Sequence, residues 1–272
     1  MSLNKPIYKL RDWIDPEKLD WCLLSSNPNA IKLLQENQDK INWYFLSSNP
    51  NAIKLLEENC DKIIWSQLSL NSNAIHLLEK NRDKIDWEQM SYNLNGLEIL
   101  KKYPDKIKWK YLSLNPNGIK LLEKNQNKID WYFLSSNSNA IKILEQNRDK
   151  IDWDELSYNS NGLEILKKYP DKIEWNYFSS NPNAISILEQ NQDKIDWYFL
   201  SSNTNAIELL EKNIDKINWR LISRNPSIFQ LDYETMKKNN QEIYEELIKE
   251  VMKPSRVFKD PNIDYIEILF GD

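Results

Sequence analysis

The chain is predicted to be an all-α protein, an α-solenoid of the right-handed type built from 22-residue repeats of two short helices. Three observations predict it. First, tryptophans fall at Trp21, Trp43, Trp65, Trp87, Trp109, Trp131, Trp153, Trp175, Trp197 and Trp219, every 22 residues without an insertion. Second, with each Trp as position zero, Ser holds +4 and Asn holds +6 in all ten copies, while Asn +8, Leu +13, Lys +19 and Ile +20 hold in the nine complete ones. Third, apolar residues recur at +9, +10, +12 and +13, a helical spacing, and Asn and Lys are too frequent for buried strands. Each unit is too short to be stable alone, so stacking must supply the stability.

The elements follow in chain order. Residues 1–20 read as an N-terminal cap: IYKLRDWIDPEKLDW is a degenerate half-unit with Trp13 out of phase. Residues 21–229 hold nine full units and a partial tenth, expected to stack as a curved rod on the order of 90 Å long. The first helix of a unit is expected to start at Asn +6, an N-cap often followed by Pro as at Pro28 and Pro50, and to run about ten residues to Asn +16. The second is expected to start near Asp +18 and to carry Ile +20, the Trp and Leu +3 before stopping at Ser +4. Residues 230–272 read as a C-terminal cap, with a helix over about 232–252 presenting Tyr233, Met236, Ile243, Leu247, Ile248 and Val251 near one side. A tail with the apolar cluster Tyr265, Ile266, Ile268, Leu269 and Phe270 follows, read as docked or as a contact for self-association. Residues 65–130 match 131–196 at 47 of 66 positions, including variable ones, which points to duplication of a three-unit block.

Composition removes several functions. Acidic residues outnumber basic ones, 41 to 36, and the net charge of −5 gives no general attraction to nucleic acid or anionic membrane. No apolar run approaches a bilayer span, and MSLNKPIYKL lacks the apolar stretch of a signal peptide, so the chain is expected to be neither transmembrane nor secreted. A single histidine, His76, and two cysteines at non-equivalent positions, Cys22 and Cys60, offer no metal-ligand spacing. With no phosphate loop and no GxSxG or HExxH pattern, no catalytic residue, metal or cofactor is expected, and the chain reads as a non-enzyme.

The unit DKINWYFLSSNPNAIKLLEEN (39–59) and the closing phrase RNPSIFQLDYETMKK (224–238), followed by KPSRV, resemble repeat proteins encoded by giant DNA viruses of the mimivirus type. The resemblance spans essentially the whole chain. It implies an origin in an infected host cell, in its cytoplasm or in the virion, and a non-enzymatic role; it carries no catalytic residues over.

Among the repeated positions, the Trp ladder reads as core and the fixed Asn and Ser positions as caps and inter-unit hydrogen bonds. The Lys +19 stem is expected over the Trp, with its ammonium near helix C-terminal carbonyls. The +11, +14 and +15 row of mixed sign reads as a solvated face supported by i, i+4 pairs such as Glu98–Lys102 and Glu164–Lys168. The variable +1 and +2 positions are the candidate binding surface: Tyr44 and Phe45, Tyr111, Tyr132 and Phe133, Tyr177, and Tyr198 and Phe199, with Tyr92 and Tyr158 at +5 joining them. Position +1 lies off the core stripe and should be exposed; +2 should be half-buried. The expected function is a scaffold that offers this face to another macromolecule, a protein. The alternatives are a structural or virion assembly component and a nucleic-acid-binding array, the latter opposed by the charge.

Overall fold

The computed structural model describes residues 6–241. One compact unit is Leu10–Phe229; residues 6–9 and 230–241 belong to a second. The larger one is the helical solenoid the repeats predict, and each of the nine complete 22-residue units contributes an A helix, a B helix and a 3-10 turn. In the first unit these are Trp21–Ser25, Ile31–Glu36 and Gln38–Lys40.

Both helices begin later than the sequence suggested, for a local reason in each case. The Asn27 side-chain oxygen accepts the Asn29 N–H at 3.0 Å, which closes a side-chain turn, and the B helix starts only at Ile31. Ile41 then adopts an extended conformation (φ −66°, ψ 125°), so the Asp +18 region forms an isolated 3-10 turn and the next A helix begins at the Trp. The N-cap is the residue just before the Trp: Asp20, Asn42, Asp86, Asp130, Asp152, Asp196 and Asn218 each accept a first-turn amide.

Neighbouring A helices pack on one another around the solenoid. The fully buried apolar positions are +3 and +13, such as Leu46 and Leu56, with Ala or Gly at +9 where the chain passes closest. Ser +4 and Asn +6 are buried as deeply, yet fully bonded. Ser47 Oγ donates to the Trp43 carbonyl at 2.7 Å and accepts the Ile64 amide at 3.0 Å. Asn49 Nδ2 donates to the Ser25 and Asn27 carbonyls of the preceding unit at 3.0 and 2.8 Å, and its oxygen accepts the Asn51 amide at 3.0 Å. Asn51 Nδ2 adds a bond to Pro28 O at 2.9 Å. This set recurs from unit to unit, which explains why these positions do not vary: a buried polar side chain is tolerated when its donors and acceptors are matched.

The Trp residues are not the core. All ten are half-buried. The thin slot between units is already filled by +3, +9 and +13, and an indole at the first position of a helix lies at its rim. In seven units the Lys +19 ammonium sits 4.4–4.6 Å above the Trp ring, as Lys62 does over Trp43, instead of reaching helix carbonyls. In two others a tyrosine replaces it: Tyr103 lies 5.5 Å from Trp87 and Tyr169 lies 5.4 Å from Trp153.

The larger departure is that Leu10–Phe229 is a closed ring. Asn27 of the first unit donates to the carbonyls of Ser223 and Asn225 in the tenth, both at 3.0 Å, and Asn29 donates to Pro226 O at 3.0 Å. These are the bonds that join any unit to the one before it. Of the stretch read as an N-terminal cap, residues 10–20 complete the tenth unit. Pro16–Lys18 forms its 3-10 turn, Lys18 lies 5.1 Å over Trp219, Leu19 is buried in the place of Ile +20, and Asp20 N–H donates to Ser223 Oγ at 2.8 Å. Within the ring Arg11 N–H donates to Ile228 O at 2.9 Å and Arg11 Nε to Ser227 O at 2.8 Å, and the short strands β1 (Tyr8–Leu10) and β2 (Phe229–Leu231) pair as a two-stranded antiparallel sheet. Ten units therefore share one full turn, and neither end of the stack is left open.

In the smaller unit, Asp232 N–H donates to Ile7 O at 2.8 Å, and the Asp232 carboxylate caps a helix over 233–241 through Thr235. Ile243, Leu247, Ile248, Val251 and the cluster Tyr265–Phe270 lie outside the described residues. Among the described residues no helix is long and apolar enough to cross a membrane.

Candidate interaction surface

In seven units a side-chain cap at +21 fixes the first turn of the A helix, and in every unit that turn projects +1 and +2. Tyr44, Tyr132 and Tyr198 at +1 are 48%, 48% and 51% exposed. Phe45, Tyr111, Phe133, Tyr177 and Phe199 at +2 are half-buried. Each exposed tyrosine meets the phenylalanine beside it edge-on at 5.2–5.3 Å.

These side chains also join units, because +1 of one unit meets +2 of the next. Gln67 Nε2 donates to the Tyr44 hydroxyl at 2.9 Å, and the Lys110 ammonium lies 5.1 Å over Phe133. Tyr111 stacks on Phe133 at 6.1 Å and Tyr177 on Phe199 at 5.7 Å. Carboxylates enter the same row. Hydrogen bonding to Glu88 and its charge push the Tyr111 phenol up. Glu155 does the same to Tyr132, pushing it to about 12, with smaller contributions from burial, Tyr177 and Asp152.

A titration checks that pair. Tyr132 ionises later in the folded ring than in the unfolded chain, whose tyrosines ionise near 10. Its stabilising contribution is then fully present below pH 10 and is lost as pH rises through 12. The difference in alkaline absorbance between the wild type and Tyr132→Phe isolates this phenol. Glu155→Gln is expected to bring its midpoint back toward 10, and an unmoved midpoint would separate the two residues.

Tyr92 and Tyr158 belong elsewhere. Burial pushes the Tyr92 phenol up, Tyr158 adds to the shift, and Arg224 opposes it. These three occupy +5 of the fourth, seventh and tenth units, three units apart each time. In an open rod such units would be separated by roughly 25–30 Å. They can feel one another only across the ring, so +5 faces its interior. Tyr92 is 36% exposed and still desolvated, as expected of a group that water reaches in a confined space.

The outer B-helix row is a solvated face, but its pairs differ from those read in the sequence. Glu98 and Glu164 bind Lys101 and Lys167 one position nearer, at 2.6 and 2.7 Å. Lys102 and Lys168 reach back to Glu79 and Glu145 of the preceding unit, at 2.8 and 3.3 Å. Contact with Lys102 lowers the Glu79 carboxyl, and contact with Lys167 lowers that of Glu164. His76 pairs with Glu57 at 3.1 Å on this face. Cys22 and Cys60 are exposed and form no disulfide; Cys22 Sγ accepts Asn42 Nδ2 at 3.3 Å and Cys60 Sγ donates to Glu57 O at 2.9 Å, and among the described residues no group of three or more His, Cys, Asp or Glu side chains is placed to hold a metal ion.

Fold and surface together define a closed α-solenoid ring with an aromatic face at the start of its A helices. Comparison with protein-family models, curated proteins and solved structures gives no match.

Proposed function

We propose that the ring is a non-enzymatic scaffold that binds another protein through the +1 and +2 face, in a virus–host setting, in host cytoplasm or virion. The observation that supports this reading is the half-exposed tyrosines held on a frame whose stability lies in other residues. Tyr and Phe on a pre-ordered surface bury large area at little entropic cost, the usual composition of a binding hot spot. Because the core and the Asn bonds are set by fixed positions, +1 and +2 are free to change from unit to unit, as they do. The sequence offers nothing of the spacing that catalysis would need.

Replacing Tyr44, Tyr132 and Tyr198 together by Ser tests it. Each ring is about half in water and makes one edge contact, and the bonds of Tyr44 to Gln67 and of Tyr132 to Glu155 lie at the surface where water replaces them, so melting should fall by only a few degrees. Recovery of host proteins on immobilised ring, read by mass spectrometry, should drop sharply. A large loss of stability with unchanged recovery would make these rings packing residues and overturn the reading.

A further inference from the structure

Charge is divided unequally over the ring. The +11, +14 and +15 positions of the B helices carry eleven carboxylates and eleven cations, many of them ion-paired. The +21, +1 and +2 positions that edge the aromatic face carry nine carboxylates against three cations, Lys108, Lys110 and Arg220. Of those nine, only Asp20 has an ion-pair partner among the described residues, Arg220 at 3.7 Å. The ring's excess negative charge is thus concentrated beside the exposed tyrosines at +1.

The densest part spans the sixth to eighth units, where Tyr132, Phe133, Asp152, Asp154, Glu155 and Tyr177 lie side by side. Tyr132 is 48% exposed and meets Phe133 edge-on at 5.2 Å, the Asp152 carboxylate accepts the Glu155 amide at 3.0 Å, and the A helices of these three units pack side by side. We infer that this aromatic and carboxylate patch docks an arginine-rich segment of a partner protein. The inference rests on the reading of the face as a protein-binding surface and adds the chemistry of what it takes. A guanidinium is the side chain that uses both halves of such a patch: its plane stacks on a phenol while its N–H fork meets a carboxylate. A carboxylate that already accepts one phenol keeps lone pairs for that fork. A nucleic acid would meet the same carboxylates with its phosphates and be repelled.

The test is fluorescence anisotropy of a labelled peptide alternating arginine with serine, against a glutamate–serine peptide and a labelled single-stranded DNA. The ring should bind the arginine peptide alone, and more weakly as salt rises. Asp154→Asn with Glu155→Gln should weaken it at least tenfold, as should Tyr132→Ser with Tyr177→Ser, with unchanged circular dichroism. Removing two carboxylates from the opposite row, Glu98→Gln with Glu164→Gln, should change it less than twofold. Equal loss in both carboxylate pairs would reduce the effect to net charge and overturn the inference, as would binding of the DNA or equal binding of the glutamate peptide. If Tyr44, Tyr132 and Tyr198 govern host-protein recovery while the Asp154 and Glu155 variants do not, the scaffold reading stands and the arginine preference falls. If those tyrosines do not govern recovery, the scaffold reading falls.

Discussion

Asn27→Ala is expected to destabilise the ring as much as Asn137→Ala, each by roughly 3–5 kcal/mol. Asn137 lies mid-chain. Its Nδ2 donates to Ser113 O and Asn115 O at 2.8 and 3.0 Å, and its oxygen accepts Asn139 N–H at 3.0 Å. Alanine leaves the Ser113 carbonyl and the Asn139 amide without partners and takes from Asn115 O one of its two donors, the Gly118 amide remaining at 2.9 Å, beside a site that is 1% exposed. A buried polar group left unmet costs about 1–3 kcal/mol and an ordinary lost hydrogen bond about 1 kcal/mol, so two of the first and one of the second start at about 3 kcal/mol, and single substitutions seldom exceed about 5 kcal/mol. Asn27 has the same bonds, but its partners are Ser223 and Asn225, 196 and 198 residues away along the chain. At the free end of an open solenoid its loss would be cheap, because water would serve the exposed groups. Equal shifts in urea midpoint for the two variants are the signature of a closed ring, and a small shift for Asn27→Ala alone would place a break there.

Removing residues 1–20 is expected to have an effect of about 5 kcal/mol or more. It deletes buried Ile14 and Leu19, worth about 1.5–3 kcal/mol each, together with the Lys18 cover on Trp219 and the partner of Arg220. The tenth unit then lacks its second half. The open product should unfold over a broader urea range with a smaller slope, since units at a free end come apart before those behind them. X-ray scattering should show a larger radius of gyration. An unchanged midpoint and radius would mean that residues 10–20 do not close the ring.

Most of the solenoid was legible in the sequence because its rules are local and repeated ten times. The period, the Leu positions and the buried Asn and Ser bonds follow from residues that never change. Helix limits were less legible, since Asn is both an N-cap and a turn-former, and Asn27 closes a turn before the B helix starts. The Trp placement was misread because periodicity marks a stripe without ranking depth within it; fully buried Leu46 and half-buried Trp43 recur with equal regularity. Closure was hidden because its two halves sit at opposite ends of the chain. One signal was there: Pro16-Glu17-Lys18-Leu19-Asp20 copies the register of Pro104-Asp105-Lys106-Ile107-Lys108. At the candidate surface, the exposure of +1 and the half-burial of +2 were readable from helical phase. The inward turn of Tyr92 and Tyr158 was not, because it depends on the ring having an inside.

A circle tolerates only whole numbers. The chain carries two near-copies of a three-unit block, and without one of them it would have seven units. Seven joints of the present angle leave a gap of nearly a third of a revolution, so Asn27 could not have met Ser223 and Asn225 as it does now. Each later gain or loss of a single unit faces the same arithmetic: every junction must re-bend together, or the seam must part. The count of units is thereby held fixed by geometry, while the side chains at +1 and +2 remain free to change one at a time.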